Sequence, residues 1–313
     1  MTDLLLTRDL SQRGFSSSEI RRMVRRGELA RIRRGAYVSD SAPRCADLDP
    51  YDLRTPHRRL IDATQSQLHP RAVISHGSAA AVLALPLFAG MVDHVHLTRD
   101  RRGGGVRRPV VWVHGSPLRE EDRMMSEGLV VTSMARTTVD LARTLPYDQA
   151  VAVADGGLAA GACPAELAEC LEQARRWHGC GQARRVIAFA DGGSESVGES
   201  FSRIRIGKAG LPDPVLQFEV FDDNGVLIGR SDFAWPDRRT LGEFDGRTKY
   251  GRLRRPGETV EEAVHREKLR EDALRDHGWQ VARWTWDDLW HPNVIAGRLA
   301  RAFTRAGSPL GVC

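Results

Sequence analysis

Apolar and polar positions repeat with changing period along this 313-residue chain, and the period predicts the elements. Leu4, Leu5, Leu6 and Leu10 give a short apolar helical face, and Gly14 follows as a turn residue. Ser16-Ser17-Ser18-Glu19 has the form of a capping box, so a second helix is expected from Ser16. Ile20, Met23 and Val24 form its apolar stripe, Arg21, Arg22, Arg25 and Arg26 fall on its other faces, and Gly27 stops it. Leu29–Arg33 and Ala36–Val38 read as two short strands joined by Arg34-Gly35. Helix, turn, basic helix and basic hairpin in that order predict a winged helix-turn-helix over residues 1–45.

Residues 41–56 are rich in Pro and Asp with little periodicity and read as a linker. Helices are expected over 57–68 and from Ser75, strands over 92–98, 110–114 and 129–133, and further helices over 134–143, over 147–160 and after Pro164. Residues 57–190 are therefore expected to form a mixed α/β middle domain. Asp191-Gly192-Gly193-Ser194 marks a boundary. Beyond it a helix (196–209) and a strand (215–221) lead to Asp222-Asp223-Asn224-Gly225, a strong hairpin signal. Strands 226–235 and 240–245, a charged helix 258–277, a strand 280–286 and a last helix from Asp287 complete an α-β-β-β-α-β-α order over 194–305. The fold class is mixed α/β in several domains.

Composition adds location and sign. No apolar run reaches the ~18 residues that a membrane helix needs, and the N-terminus lacks the features of a signal peptide, so a cytoplasmic protein is expected, with no membrane partner. The five cysteines form no CxxC pair and their number is odd, which argues against a disulfide framework or a structural zinc site. Net charge is only +5, but Glu19 to Arg34 holds seven arginines against two glutamates, equal to the whole excess. A concentrated positive patch of that kind suits a polyanion.

Double-stranded DNA is the expected partner. A helix carrying Arg21, Arg22, Arg25 and Arg26 fits the major groove, where arginine's planar fork serves phosphates or guanine edges. Ser16 and Ser17 sit at the helix start, where hydroxyls and N–H groups can hold a phosphate. Arg31, Arg33 and Arg34 would reach the flanking backbone from the wing. No cofactor is needed for this binding. In the middle region Arg136 and Asp140 stand four apart on one helix and are expected to pair. His94 and His96 share a strand face, a spacing that can chelate a metal, but no third ligand converges in the sequence. In the last region Asp232, Glu243 and Asp245 lie on neighbouring strands, with Glu199 on the preceding helix and Lys249 four residues beyond Asp245. Clustered carboxylates suit magnesium. Trp279, Trp284, Trp286 and Trp290 are expected in the core.

Two resemblances sharpen these expectations. The run Leu10, Gly14-Phe15-Ser16, Arg22, Arg26-Gly27-Glu28-Leu29 and Ile32-Arg33-Arg34-Gly35-Ala36-Tyr37 resembles the winged-helix domain of AbiEi-type antitoxins of type IV toxin–antitoxin systems. Ser75-His76-Gly77-Ser78-Ala79-Ala80 and the stretch Thr132 to Ala142 extend the likeness to about residue 160. The resemblance implies a regulator that binds promoter repeats, represses its operon and counters a nucleotidyltransferase-like toxin. Residues 195–305 resemble a PD-(D/E)XK nuclease core of the very-short-patch-repair and DUF559 type, through Arg230 to Pro236, Leu241 to Gly246 with Lys249-Tyr250, and the later run Glu267 to Leu289. That resemblance implies Mg²⁺ on Asp232 and Glu243 in active members. Here Asp245 replaces the usual lysine two residues after the glutamate; either Lys249 or Lys268 has taken over its role, or the domain keeps the fold without the activity.

The sequence thus predicts a DNA-binding antitoxin-type regulator, with a cognate toxin and a second copy of itself on DNA as candidate partners. The alternatives are a Mg²⁺-dependent endonuclease targeted by its winged helix and an adaptor that neutralises a toxin through the middle domain.

Overall fold

The computed structural model describes residues 4–39, 52–65, 71–101, 103–246 and 259–307. They form two compact units: residues 1–153 with 160–188, and residues 154–159 with 189–313. The first unit takes in residues 1–45 and most of 57–190, which the sequence sets apart, while 154–159 and 189–190 fall in the second. Among the described residues no helix is long and apolar enough to cross a membrane, and Cys163, Cys170 and Cys180 are free thiols.

The N-terminal module runs β1 (Leu4–Leu6), α1 (Thr7–Gln12), α2 (Ser17–Arg26), β2 (Leu29–Arg33) and β3 (Ala36–Ser39). The expected helical face over Leu4–Leu6 is a strand. It pairs antiparallel with β3, Leu4 opposite Val38 and Leu6 opposite Ala36, giving a sheet in the order β1-β3-β2. Three leucines suit helix or strand equally, and an open edge on β3 decides for the strand. Leu10, Ile20 and Leu29 form the core, packed by Leu5, Met23, Val24 and Tyr37. Gly14 (φ +89°) turns the chain between α1 and α2, and Gly27 (φ +77°) ends α2 in a left-handed cap.

The same unit continues with α3 (Arg54–Gln65) and a six-stranded sheet flanked by helices. Its strands are β4 (Ala72–Ile74), β5 (Val95–Arg99), β6 (Val106–Arg107), β7 (Val111–Gly115), β8 (Arg123–Ser126) and β9 (Leu129–Thr132), in the order β6-β7-β5-β4-β9-β8. Its helices include α4 (His76–Val82) and α5 (Met134–Thr144). The strand expected over 92–98 begins at Val95, so His94 precedes it. The sequence reading passed over β4, β6 and β8. Glu127 (φ +49°) and Gly128 (φ +74°) form a two-residue turn between β8 and β9 that fits a right-twisted hairpin. Ile61, Ile74, Leu85, Val95, Leu97, Val131 and Leu141 lie in the core beneath.

Arg136 sits inside this unit and is nearly saturated. Its Nε donates to Asp140 (2.8 Å), Nη1 to Pro117 O (2.9 Å) and Asp122 (3.2 Å), and Nη2 to Ser116 Oγ (2.8 Å). The pair expected four apart on one helix therefore forms, and it is buried.

The second unit has the element order expected for residues 194–305. After α6 (Tyr147–Ala159), α7 (Pro164–Gln173) and α8 (Cys180–Phe189) come α9 (Val197–Lys208), β10 (Val215–Phe221), β11 (Leu227–Trp235), β12 (Thr240–Asp245), α10 (Val260–Asp276), β13 (Gln280–Thr285) and α11 (Pro292–Arg305). The sheet order is β10-β11-β12-β13, antiparallel except for the parallel β12–β13 pair that α10 connects. Val220, Ala234, Leu241, Leu274 and Trp279 form one core layer. Elsewhere in the unit, Trp284 stacks on Phe233 at 5.4 Å and donates its indole N–H to Ser202 Oγ. Gly242 is needed there, because a Cβ would lie 2.6 Å from the Trp284 ring.

Candidate nucleic-acid interface

The basic helix α2 starts as its sequence dictates. Ser16 Oγ accepts from the Glu19 N–H (3.3 Å), and the Glu19 carboxylate accepts from the Ser16 N–H (2.8 Å). The same carboxylate accepts from Ser16 Oγ–H (2.6 Å), and these two Ser16 bonds, the hydroxyl's first, hold Glu19 below the usual carboxylate range. Ser16 is thus engaged in its own cap, while the neighbouring Ser17 is exposed at the first helical position.

Ile20 faces the core, so the helical period sets the rest. At about 100° per residue, Arg21, Arg22, Arg25 and Arg26 fall within about 140° of arc centred opposite Ile20. All four are exposed. Arg26 lies 3.8 Å from Glu28 in a solvated pair worth little. Glu19 is the acidic neighbour of Arg22. The result is one convex, positively charged helix face beside a helix start that Ser16 and Glu19 cap.

The hairpin residues divide. Arg34 is exposed at the β2–β3 turn, and Arg31 is exposed with its Nε donating to Arg33 O (3.3 Å). Arg33 turns inward. Its Nε donates to Ala63 O on α3 at 2.8 Å, its Nη2 donates to the same oxygen, and its Nη1 reaches Arg34 O at 3.0 Å. Burial lowers its pKa. That side chain ties the hairpin to α3 and does not project with the others.

The carboxylates of the second unit are arranged differently from a magnesium site. Both oxygens of Glu243 are taken by two arginines of the run that carries the nuclease-like resemblance, to which the sequence assigns no role: Oε1 by Arg270 Nη2 (2.6 Å) and Oε2 by Arg283 Nε (2.8 Å). Arg270 also binds Glu267, and Arg283 binds Glu267 and Glu271. Asp232 Oδ2 accepts from the Phe244 N–H (2.8 Å). Glu199 accepts from Ser196 Oγ, the Glu195 N–H and Gln217 Nε2. Burial, together with the negative charge of Asp232, raises its pKa. Asp245 ends β12 opposite Thr285. Among the described residues these carboxylates do not bring three ligand oxygens to one point. Lys249 lies outside the described residues, and Lys268 is exposed on α10. An acid already neutralised by two guanidiniums does not fit a cation ligand, so Glu243 does not fit Mg²⁺ in this arrangement. The signal for Arg283 was available, since β12 and β13 in parallel place it opposite Glu243. Trp279 and Trp284 are buried, whereas Trp290 is exposed with Arg205 over its ring.

Comparison with known proteins gives three findings. Residues 3–39 match the family described as "Transcriptional regulator, AbiEi antitoxin". The uncharacterized proteins Rv2248 and MT2308, from two strains of Mycobacterium tuberculosis, are each 30% identical over 291 residues, covering 90% of this chain and 95% of theirs. The crystal structure of the Rv2827c protein of M. tuberculosis matches with a TM-score of 0.38 and 16% identity, covering 72% of this chain and 85% of that one.

Proposed function

The chain belongs to the same family as Rv2248 of M. tuberculosis and opens with an AbiEi-antitoxin regulator segment, and from that premise we propose that it is a DNA-binding transcriptional regulator that represses its own operon. The single observation that carries this reading is the face of α2. Arg21, Arg22, Arg25 and Arg26 all project into solvent, on the segment that matches the regulator family.

In this reading the module acts as a winged helix-turn-helix. Helix α2 enters the major groove, Ser17 and the first N–H groups of α2 take a phosphate, and Arg31 and Arg34 lie along the flanking backbone. So small an interface gains from two copies on a repeated site, so a homodimer on DNA belongs to the proposal. Countering a nucleotidyltransferase-like toxin is its second part, and a gene for such a toxin beside this one is what it requires. A gel-shift titration against the protein's own promoter tests the first part. The wild-type chain is expected to bind with strong salt dependence, each neutralised phosphate adding about 0.9 to the logarithmic slope. The fourfold Arg→Ala variant at 21, 22, 25 and 26 is expected to lose binding while keeping its circular dichroism. Undiminished binding by that folded variant would overturn the assignment.

A further inference from the structure

Three histidines far apart in sequence meet in the first unit. His76 is the first residue of α4, directly after β4 and Ser75. His96 lies on β5 and His114 on β7. The two strands are parallel, with His96 opposite Trp112 and Thr98 opposite His114, so the period of two puts both imidazoles on one face of the sheet. The Ser75 N–H donates to His96 O at 3.0 Å, which brings the start of α4 over that face. The rings then stack: His76 on His114 at 3.9 Å, His96 on His114 at 5.2 Å, and His76 near His96 at 5.9 Å between centroids. One nitrogen from each lies within 4.8 Å of the others.

Two features argue that this is a site and not incidental packing. His76 has φ +50°, a left-handed backbone that non-glycine residues seldom hold. The turn is locked from behind, since a Cβ on Gly77 would lie 2.0 Å from Met91 O. Second, the nearby cations are committed elsewhere. Arg136 is spent on Asp122, Asp140, Pro117 and Ser116, and Arg143 on Asp140 and His178 O. Among the described residues the rings' hydrogen bonds go to a hydroxyl and to one another: His96 Nδ1 stands 3.0 Å from His114 Nε2, and His76 Nδ1 stands 3.1 Å from Ser75 Oγ.

We propose that His76, His96 and His114 bind one divalent late-transition ion of the zinc type, with its remaining coordination position open to a cavity. Zinc–imidazole bonds of ~2.0–2.1 Å set neighbouring ligand nitrogens roughly 3.3 Å apart, close to the His96–His114 separation. His76 and His96 are buried and His114 is half-buried, so the three rings meet one another away from bulk solvent. Three neutral imidazoles with no carboxylate among the three suit zinc, copper or nickel and not magnesium or calcium. Ser75 Oγ, which also accepts from Thr98 Oγ1 at 2.8 Å, orients the His76 ring and leaves its Nε2 for the ion. A cavity of about 300 Å³ opens beside His76 and His114, lined also by Ser116, Asp140, Arg143 and Trp177. Three protein ligands with an open fourth position is the arrangement of zinc sites that take a water or a small anion.

The test uses the untagged full-length chain, stripped with chelator and titrated with Zn²⁺ and with Co²⁺. Equilibrium dialysis is expected to give one ion per chain, and millimolar Mg²⁺ is expected not to compete. His96→Ala and the near-isosteric His114→Gln are each expected to weaken Zn²⁺ binding on the order of 100-fold or more, with unchanged circular dichroism. Zinc X-ray absorption on the wild-type protein needs no variant and is expected to show three imidazole nitrogens. No uptake by the wild type, uptake unaltered in a folded His96→Ala/His114→Gln chain, or fewer than three imidazoles around the zinc would overturn the proposal.

Discussion

The Arg33 guanidinium donates to the Ala63 carbonyl at 2.8 Å, so a residue of the basic hairpin anchors that hairpin to α3. Its neighbour Arg34 stays exposed at the turn. Two adjacent arginines of one sequence run therefore do different physical work, one holding structure and the other adding to the charged surface.

Arg33→Ala is expected to lower the stability of the first unit by about 1–3 kcal/mol, since it removes a charged donor from a part-buried carbonyl. Arg21→Ala is expected to leave the melting temperature within error and reduce the salt slope of DNA binding instead. Calorimetry and gel shift on both variants check the split. An unchanged melting temperature for Arg33→Ala would refute the anchoring role.

Arg136→Met is expected to cost about 3–5 kcal/mol, because it leaves Asp122 buried without its cation and Asp140 with Arg143 alone. Adding Asp140→Leu is expected to recover part of that loss, although Arg143 then loses its own carboxylate partner. Chemical denaturation of the two variants gives the comparison, and a double variant no more stable than Arg136→Met would contradict it.

Magnesium is expected to have no effect on the second unit. With Glu243 held by Arg270 and Arg283, millimolar Mg²⁺ should leave its melting temperature unchanged and should not support plasmid cleavage. A Mg²⁺-dependent rise in melting temperature that vanishes in Glu243→Gln would revive the nuclease alternative.

Acid should loosen that same network. Burial alone would raise the pKa of Glu267, but Arg270 and Arg283 hold it below its ordinary 4.5. A carboxylate depressed in the folded state adds stability above its unfolded value, and that stability is lost as pH falls through the folded value. Stability of the second unit should therefore drop as pH is lowered beneath about 4.5. The drop should be shallower in Arg283→Met, which has less of this stabilisation to lose. Urea titrations at stepped pH measure both curves, and parallel curves would count against the network.

What the sequence by itself determined was local. The Ser16–Glu19 box, the stop at Gly27 and the Asn224-Gly225 turn are legible because each is closed by bonds within four or five residues, where spacing alone dictates geometry. The charged face of α2 is legible for the same reason, since the helical period fixes it once Ile20 is buried. Tertiary structure decided what spacing leaves open. Leu4–Leu6 became a strand because β3 offered an unpaired edge. Glu243 became an ion-pair partner because β13 and α10 delivered two arginines to it. His96 acquired His76 and His114 because strand pairing joined residues about twenty positions apart. Such meetings depend on which strands become neighbours, and strand order follows from burying the whole chain's apolar surface, not from the pattern of any one segment.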